Sequence, residues 1–246
     1  MDISSVNLEK ITNIIIREIL KEKNPEAGFD KVLASAMEHS MIRPDATPAM
    51  VKQFCEEAIT YHFRNVALAP CFVALAQKYL AGSGVGVSTA VGFPMGIATN
   101  RMKVAETLEA IENGATEIDL PINIGMVKAG EFKTIKEDIE AVVRASNKRA
   151  IIKAVVDLGA LSAEEIIRIS LLAKLAGADF LKVAAGSKPG GVTAEDIKLI
   201  RMAVGPAIGL KADGGIKDYK SARVIIEAGA TTIGASGSIK IVTGCQ

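Results

Sequence analysis

Three closely similar junctions punctuate the chain: Asn113-Gly114-Ala115-Thr116-Glu117-Ile118, Ala176-Gly177-Ala178-Asp179-Phe180-Leu181 and Ala228-Gly229-Ala230-Thr231-Thr232-Ile233. In each, a glycine able to take the left-handed conformation ends a helical pattern, and a short apolar run then enters a buried strand. This helix-to-strand step is the internal repeat that most constrains the fold. Apolar runs at 32–37, 65–68, 86–91, 117–120, 150–155, 180–183, 208–212 and 232–235 read as strands. Amphipathic segments follow them, for example 48–61, 100–113, 131–146, 163–175, 194–203 and 218–227. Eight such units in 246 residues suit a (β/α)8 barrel better than an open doubly wound sheet, since such a barrel uses about 250 residues as one domain.

Ahead of the first unit, residues 6–23 place Leu8, Ile11, Ile15, Ile19 and Leu20 near helical spacing among charged side chains. An additional N-terminal amphipathic helix is expected there, with Pro25 and Gly28 marking a linker before the barrel. The expected division is 1–30 for helix and linker and 31–246 for the barrel. Residue content bounds the function. With 49% apolar and 23% charged residues the chain can bury a sizeable core. Its 29 basic and 28 acidic side chains exert no global pull on nucleic acid or an anionic membrane. Cys55, Cys71 and Cys245 are widely spaced and odd in number, which fits a reducing cytoplasm and neither a disulfide framework nor a CxxC site. The start lacks a secretion signal and no apolar stretch is long enough to span a bilayer, so no membrane partner is expected.

In a barrel of this kind the site lies at the C-terminal ends of the strands. Charges interrupt otherwise apolar runs at Asp119, Lys153, Asp157, Lys182 and Lys211. Period-two alternation sets Asp119 opposite Ile118 and Leu120, Lys182 opposite Leu181 and Val183, and Lys211 opposite Leu210 and Ala212, so these charges converge inside the barrel. A buried ion-pair network is one reading. The other is catalytic: desolvation of clustered ammonium groups lowers a lysine pKa toward a usable nucleophile. Such an amine attacks a carbonyl to form a Schiff base, whose iminium is an electron sink for carbon–carbon cleavage, and a carboxylate with a second lysine relays protons.

Metal and nucleotide chemistry find little support. His39 and His62 belong to no HxH or HExxH spacing; His39 reads as polar lining at a strand end, His62 as helix surface. Gly82-Ser83-Gly84-Val85-Gly86 precedes a strand instead of opening a helix, so it is a loop and not a dinucleotide fingerprint. Late glycine turns at 186–191, 213–217 and 234–238 suggest a phosphate held by backbone N–H groups after strands seven and eight.

At these residues the sequence resembles the deoxyribose-phosphate aldolase family. The resemblance rests on Val91-Gly92-Phe93-Pro94-Met95-Gly96, Glu117-Ile118-Asp119 with Ile122-Asn123-Ile124-Gly125, Phe180-Leu181-Lys182, Leu210-Lys211-Ala212 with Gly214-Gly215, and the segment from Glu227 to Ser236. It implies a (β/α)8 class I aldolase in which Lys182 forms the Schiff base, Lys211 depresses its pKa, and Lys211 and Asp119 relay protons. Lys153, Glu38 and Asp157 would support that network. Gly186, Gly214, Gly215, Lys217, Gly234 and Ser236 would surround a substrate phosphate. The implied reaction cleaves 2-deoxy-D-ribose 5-phosphate reversibly to acetaldehyde and D-glyceraldehyde 3-phosphate, with no cofactor and no metal, in a homo-oligomer.

Several positions depart from the family pattern. Val183-Ala184-Ala185 replaces a run of hydroxyls that would line the substrate pocket, and its loss is expected to weaken recognition of sugar hydroxyls or phosphate. Glu38 lengthens an acid usually one carbon shorter, Asp157 shortens another, and Pro121 alters the turn beyond Asp119. Asp213 stands where a serine is usual and would repel phosphate, with Lys188 and Lys217 available to offset it. A related aldolase with another carbonyl substrate, and a non-catalytic binding barrel, therefore remain alternatives. The partner is a small aldehyde or sugar phosphate. The N-terminal helix also resembles segments that target enzymes to microcompartment shells, the simpler reading being a helix that closes the barrel or joins subunits.

Overall fold

The computed structural model describes residues 28–245. The expected helix at 6–23 lies outside these residues. Eight parallel strands close into a barrel in sequence order, β1 (Met37–Met41), β2 (Asn65–Leu68), β3 (Gly86–Ala90), β4 (Glu117–Pro121), β5 (Ile151–Asp157), β6 (Phe180–Ala184), β7 (Gly209–Asp213) and β8 (Thr232–Ala235), with β8 pairing back onto β1. A short helix α1 (Lys31–Ser35) precedes β1. The crossovers are α2 (Pro48–Thr60), α3 (Val73–Leu80), α4 (Asn100–Glu112), α5 (Ile124–Lys128), α6 (Phe132–Ser146), α7 (Ala163–Leu175), α8 (Ala194–Val204) and α9 (Tyr219–Glu227), and α10 (Ser238–Thr243) follows β8.

The first strand differs from expectation. Residues 32–37 were read as a strand, yet Lys31–Ser35 is helical because Asp30 accepts a hydrogen bond from the Leu33 N–H at 2.9 Å and caps the turn. Leu33 and Ala34 pack into the core from this helix, and the strand begins at Met37. Elsewhere strand bounds shift by a residue or so at the ends. Side-chain caps set the helix starts: Thr47 and Thr99 accept from N–H groups of α2 and α4, while Ser162 with Glu165 and Thr193 with Asp196 form capping boxes at α7 and α8.

The apolar core lies between strands and helices. Val66, Val87, Ile118, Leu120, Ile152, Leu181, Val183, Leu210 and Ile233 point outward from the strands into this layer and are fully or almost fully buried. The inner face is different, because most of its alternate residues are polar or small, with Val155 and Phe180 as apolar members. Register pairs Asp119 with Lys153, Val155 with Lys182, Lys182 with Lys211, and Asp213 with Gly234. Charged side chains from neighbouring strands are thereby stacked within one barrel.

Candidate active site

Lys182 projects from β6 into an open cavity of about 890 Å³. Its Nζ hydrogen-bonds Asp119 Oδ2 at 2.9 Å and pairs with Asp213 Oδ2 at 2.9 Å. Behind it Lys211 Nζ donates to Asp119 Oδ2 at 3.2 Å and to Glu38 Oε1, and lies 3.7 Å from Asp213 Oδ2. Deeper still, Lys153 Nζ donates to Glu38 Oε2 at 2.6 Å and to Ser88 Oγ at 3.2 Å, and sits 2.5 Å from Glu117 Oε2 and 3.4 Å from Asp119 Oδ1. Arg64 closes the far end, its Nη2 donating to Glu117 Oε1 at 2.6 Å while the guanidinium lies over the Phe180 ring. With all groups ionised the three lysines and Arg64 balance Glu38, Glu117, Asp119 and Asp213.

That balance decides the protonation states. Burial alone would raise the Asp119 pKa, but Lys153, Lys182 and Lys211 outweigh it and hold the carboxyl well below the usual carboxylate range. Burial would likewise raise Glu38, and Lys153 with Lys211 bring it down to about 2. For Lys153 and Lys211 burial pulls the pKa down, yet Asp119 and Glu38 overcompensate and raise both above the ordinary lysine value. Desolvation therefore does not free these two amines, as the clustering had suggested. They are permanent cations that keep Asp119 an anion beside Lys182.

Of the residues singled out from sequence, Glu38, Asp119, Lys153, Lys182 and Lys211 come together in this network, and Asp213, Gly214, Gly215, Lys217, Gly234 and Ser236 line the cavity with Lys182. Asp157 does not join them. Its Oδ1 accepts from the N–H groups of Gly159 and Ala160 at 2.8 and 3.2 Å, which fixes the turn after β5, and Gly186 packs against this carboxyl outside the cavity lining. His39 is not lining either. Being next to Glu38 on β1 it points outward, stacked on Phe54 with ring centroids 3.7 Å apart and its Nε2 2.9 Å from Glu57 Oε2. His62 lies in the exposed turn after α2, not on its surface.

Val183 faces the helix layer, Ala184 follows Lys182 on the inner face in register with Asp213, and Ala185 lies beside the lining residue Gly214. Lys188 is committed to Asp196 on α8 and does not offset Asp213; Lys182 and Lys211 do that instead. Pro121 continues β4 in register with Val155. Glu117, Ser88 and Arg64 were not singled out from sequence, although Glu117 shares the inner face with Asp119 by the same alternation. Among the described residues no three His, Cys, Asp or Glu side chains are grouped to hold a metal ion, and each carboxylate of the network faces a lysine or arginine.

Three glycines shape the loops and strand end around the cavity. Gly191 and Gly215 have φ of +84° each, and a Cβ on either would come within 2.5 Å of the other's Cα, so only glycine lets the loops after β6 and β7 touch. At Gly234 a Cβ would fall 2.8 Å from Lys211 Cε and 2.9 Å from Asp213 Oδ2, so a side chain there would displace the network.

A closed parallel barrel presenting a lysine at a strand end, flanked by carboxylates under an open cavity, has the groups that Schiff-base aldol chemistry requires. Residues 31–241 match the DeoC/LacD family aldolase description, and the chain belongs to that family. The chain is 46% identical over 212 residues to deoxyribose-phosphate aldolase of Caldanaerobacter subterraneus subsp. tengcongensis, an alignment covering 85% of this chain and 92% of the relative. Against deoxyribose-phosphate aldolase of Clostridium perfringens it is 44% identical over 212 residues, covering 86% and 95%. Among solved structures, the aldolase QR15 superposes with a TM-score of 0.80 at 31% identity, covering 85% of this chain and 93% of QR15. The tetrameric deoxyribose phosphate aldolase of Aeropyrum pernix superposes with a TM-score of 0.79 at 26% identity, covering 92% and 95%.

Proposed function

We propose that this aldolase reversibly cleaves 2-deoxy-D-ribose 5-phosphate to acetaldehyde and D-glyceraldehyde 3-phosphate through a Schiff base on Lys182. The observation that carries the reading is Lys182 Nζ lining the cavity, 2.9 Å from both Asp119 and Asp213, with cationic Lys211 directly behind Asp119. The open-chain sugar presents its aldehyde carbon to Nζ. Once the iminium forms, loss of the C3 hydroxyl proton lets the C2–C3 bond pair flow into it, releasing the three-carbon aldehyde and leaving an enamine. Protonation at C2 and hydrolysis return acetaldehyde and free lysine. Asp119 and Lys211 form a continuous hydrogen-bonded relay to Nζ, and Lys153 with Glu38 anchors that relay from below.

The phosphate is assigned to the rim, where Gly214, Gly215, Gly234 and Ser236 supply backbone and hydroxyl donors and exposed Lys217 supplies charge. The resemblance to a tetrameric relative supports a homo-oligomer, and the reducing character of the cysteine set supports a cytoplasmic enzyme. No helix among the described residues is long and apolar enough to cross a membrane. The segment 1–30 stands ahead of the family match, which starts at residue 31; closing the barrel or joining subunits is its simpler role, and the second reading is a contact with a microcompartment shell or cargo. Fusion of that segment to a reporter tests this contact, and diffuse signal in a shell-building cell contradicts it.

Acetaldehyde release from 2-deoxyribose 5-phosphate, followed by coupled alcohol dehydrogenase, is the test of the reaction. Turnover that disappears in Lys182→Leu is expected. Folded wild-type protein that binds the sugar phosphate without cleaving it would instead be a binding barrel, and cleavage of a different carbonyl donor alone would move the substrate.

A further inference from the structure

Lys182 Nζ has two carboxylate neighbours at the same distance, and they differ in everything else. Asp119 is sealed in the barrel and shared among Lys153, Lys182 and Lys211. Asp213, on the last residue of β7, has a side chain 26% exposed and lines the cavity. Asp119 thus meets the reacting nitrogen from inside, whereas Asp213 meets it from the side where a substrate carbonyl arrives.

We infer that Asp213 is a second catalytic carboxylate, the group that carries protons between Lys182 Nζ and the substrate's carbonyl oxygen while the Schiff base forms and hydrolyses. The inference rests on the Schiff-base reading of Lys182 above.

The protons balance without another reactant. Asp213 takes one proton from the Lys182 ammonium, which frees the nitrogen lone pair. The N–C bond forms, the carbonyl π pair moves to oxygen, and Asp213 returns the proton to that oxygen, giving the carbinolamine. A second N–H proton then leaves for Asp213 and passes to the hydroxyl, which departs as water while the nitrogen lone pair closes the C=N bond. Ammonium and aldehyde have become iminium and water, and Asp213 is again a carboxylate. It then faces a cationic nitrogen as before, so its charge stabilises the iminium.

Asp119 serves the inner relay with Lys211 and does not reach the carbonyl oxygen on the cavity side. A carboxyl held ionised by three ammonium groups gives up little driving force as a base, and a sealed oxygen has no path to an arriving carbonyl. Gly234 completes the case from the other side, because its missing side chain is what leaves space at Asp213 Oδ2.

The experiment is rapid-quench borohydride trapping of the acetaldehyde imine in wild type, Asp213→Asn and Asp213→Glu, with the adduct mapped to Lys182 and the rate followed across pH. Asp213→Asn is expected to slow imine formation about 100-fold and to lose the acidic limb of the rate profile. Asp213→Glu, which keeps the carboxyl, is expected to recover part of the rate and the limb. Asp213→Asn with wild-type rate and profile overturns the proposal and leaves the Schiff-base reading intact. Slowing in both variants with the wild-type pH profile also overturns it, as a purely structural role would. Wild-type protein forming no imine on Lys182 overturns the Schiff-base reading and the proposal with it.

Discussion

The lysine cluster has a floor and a rim built from the same residue types. On the floor, Lys153 is completely buried, with Glu38 and Glu117 within 2.6 Å and no route to solvent. On the rim, Lys182 is 10% exposed at its side chain and meets Asp213 over an open cavity. The floor shows that a buried lysine is not in itself a nucleophile, because its carboxylates hold it cationic. The rim shows that access, more than burial, assigns the chemistry. A third lysine supports this lesson: Lys103 on α4 is 1% exposed and ion-paired to Asp138 between helices, away from the barrel interior. It is as buried as the floor, and its amine is spent on an ion pair between helices.

The sharpest way to break the contrast is to remove the rim amine, the proposed nucleophile. Lys182→Leu is expected to lower aldol cleavage on the order of 10⁴-fold or more while the protein stays folded, as read by steady-state rate and circular dichroism. Removing a floor residue should do the opposite first. Lys153→Met removes the cation between Glu38 and Glu117 and is expected to cost about 3–5 kcal/mol of stability in urea unfolding, whatever it does to rate. Wild-type stability in that variant would mean that the floor is dispensable.

Acid sharpens the same distinction. Glu38 is depressed from 4.5 to about 2, so its contribution to stability is present above pH 4.5 and is lost as pH falls through about 2. Asp119 is depressed as well and adds to the same window. Lys153 and Lys211 are raised, so their contribution is present below the ordinary lysine pKa and is lost only as pH rises through their elevated values. Glu38→Gln should flatten the acid side of the stability profile measured by thermal melting and leave the neutral-to-alkaline shape. The smallest effect is expected at the phosphate rim. Lys217→Ala should raise KM for 2-deoxyribose 5-phosphate about tenfold with kcat little changed, and should leave cleavage of unphosphorylated deoxyribose alone.

Much of this arrangement was legible in the sequence, for a physical reason. A charge inside an apolar strand run must point to the inner face, which is how Asp119, Lys153, Lys182 and Lys211 stand out. The same alternation marked Glu117 and turned His39 outward, yet neither was read that way. The run at 32–36, Val-Leu-Ala-Ser-Ala, fits strand or helix equally well, and only the Asp30 cap decides for helix. Asp213 was recognisable as unusual but not as a partner of Lys182, because the direction of a side chain at a strand end depends on tertiary contacts. Asp157 illustrates the reverse, since two nearby backbone N–H groups capture it before any distant lysine can.

The central claim is that the rim lysine carries the covalent step. Incubation with 2-deoxyribose 5-phosphate, borohydride reduction and peptide mass spectrometry test it most directly. A two-carbon or sugar-derived adduct on Lys182, with Lys153, Lys211 and Lys103 unmodified, is the expected result. Folded protein that cleaves the sugar phosphate without an adduct on Lys182, or with one on another lysine, would contradict it.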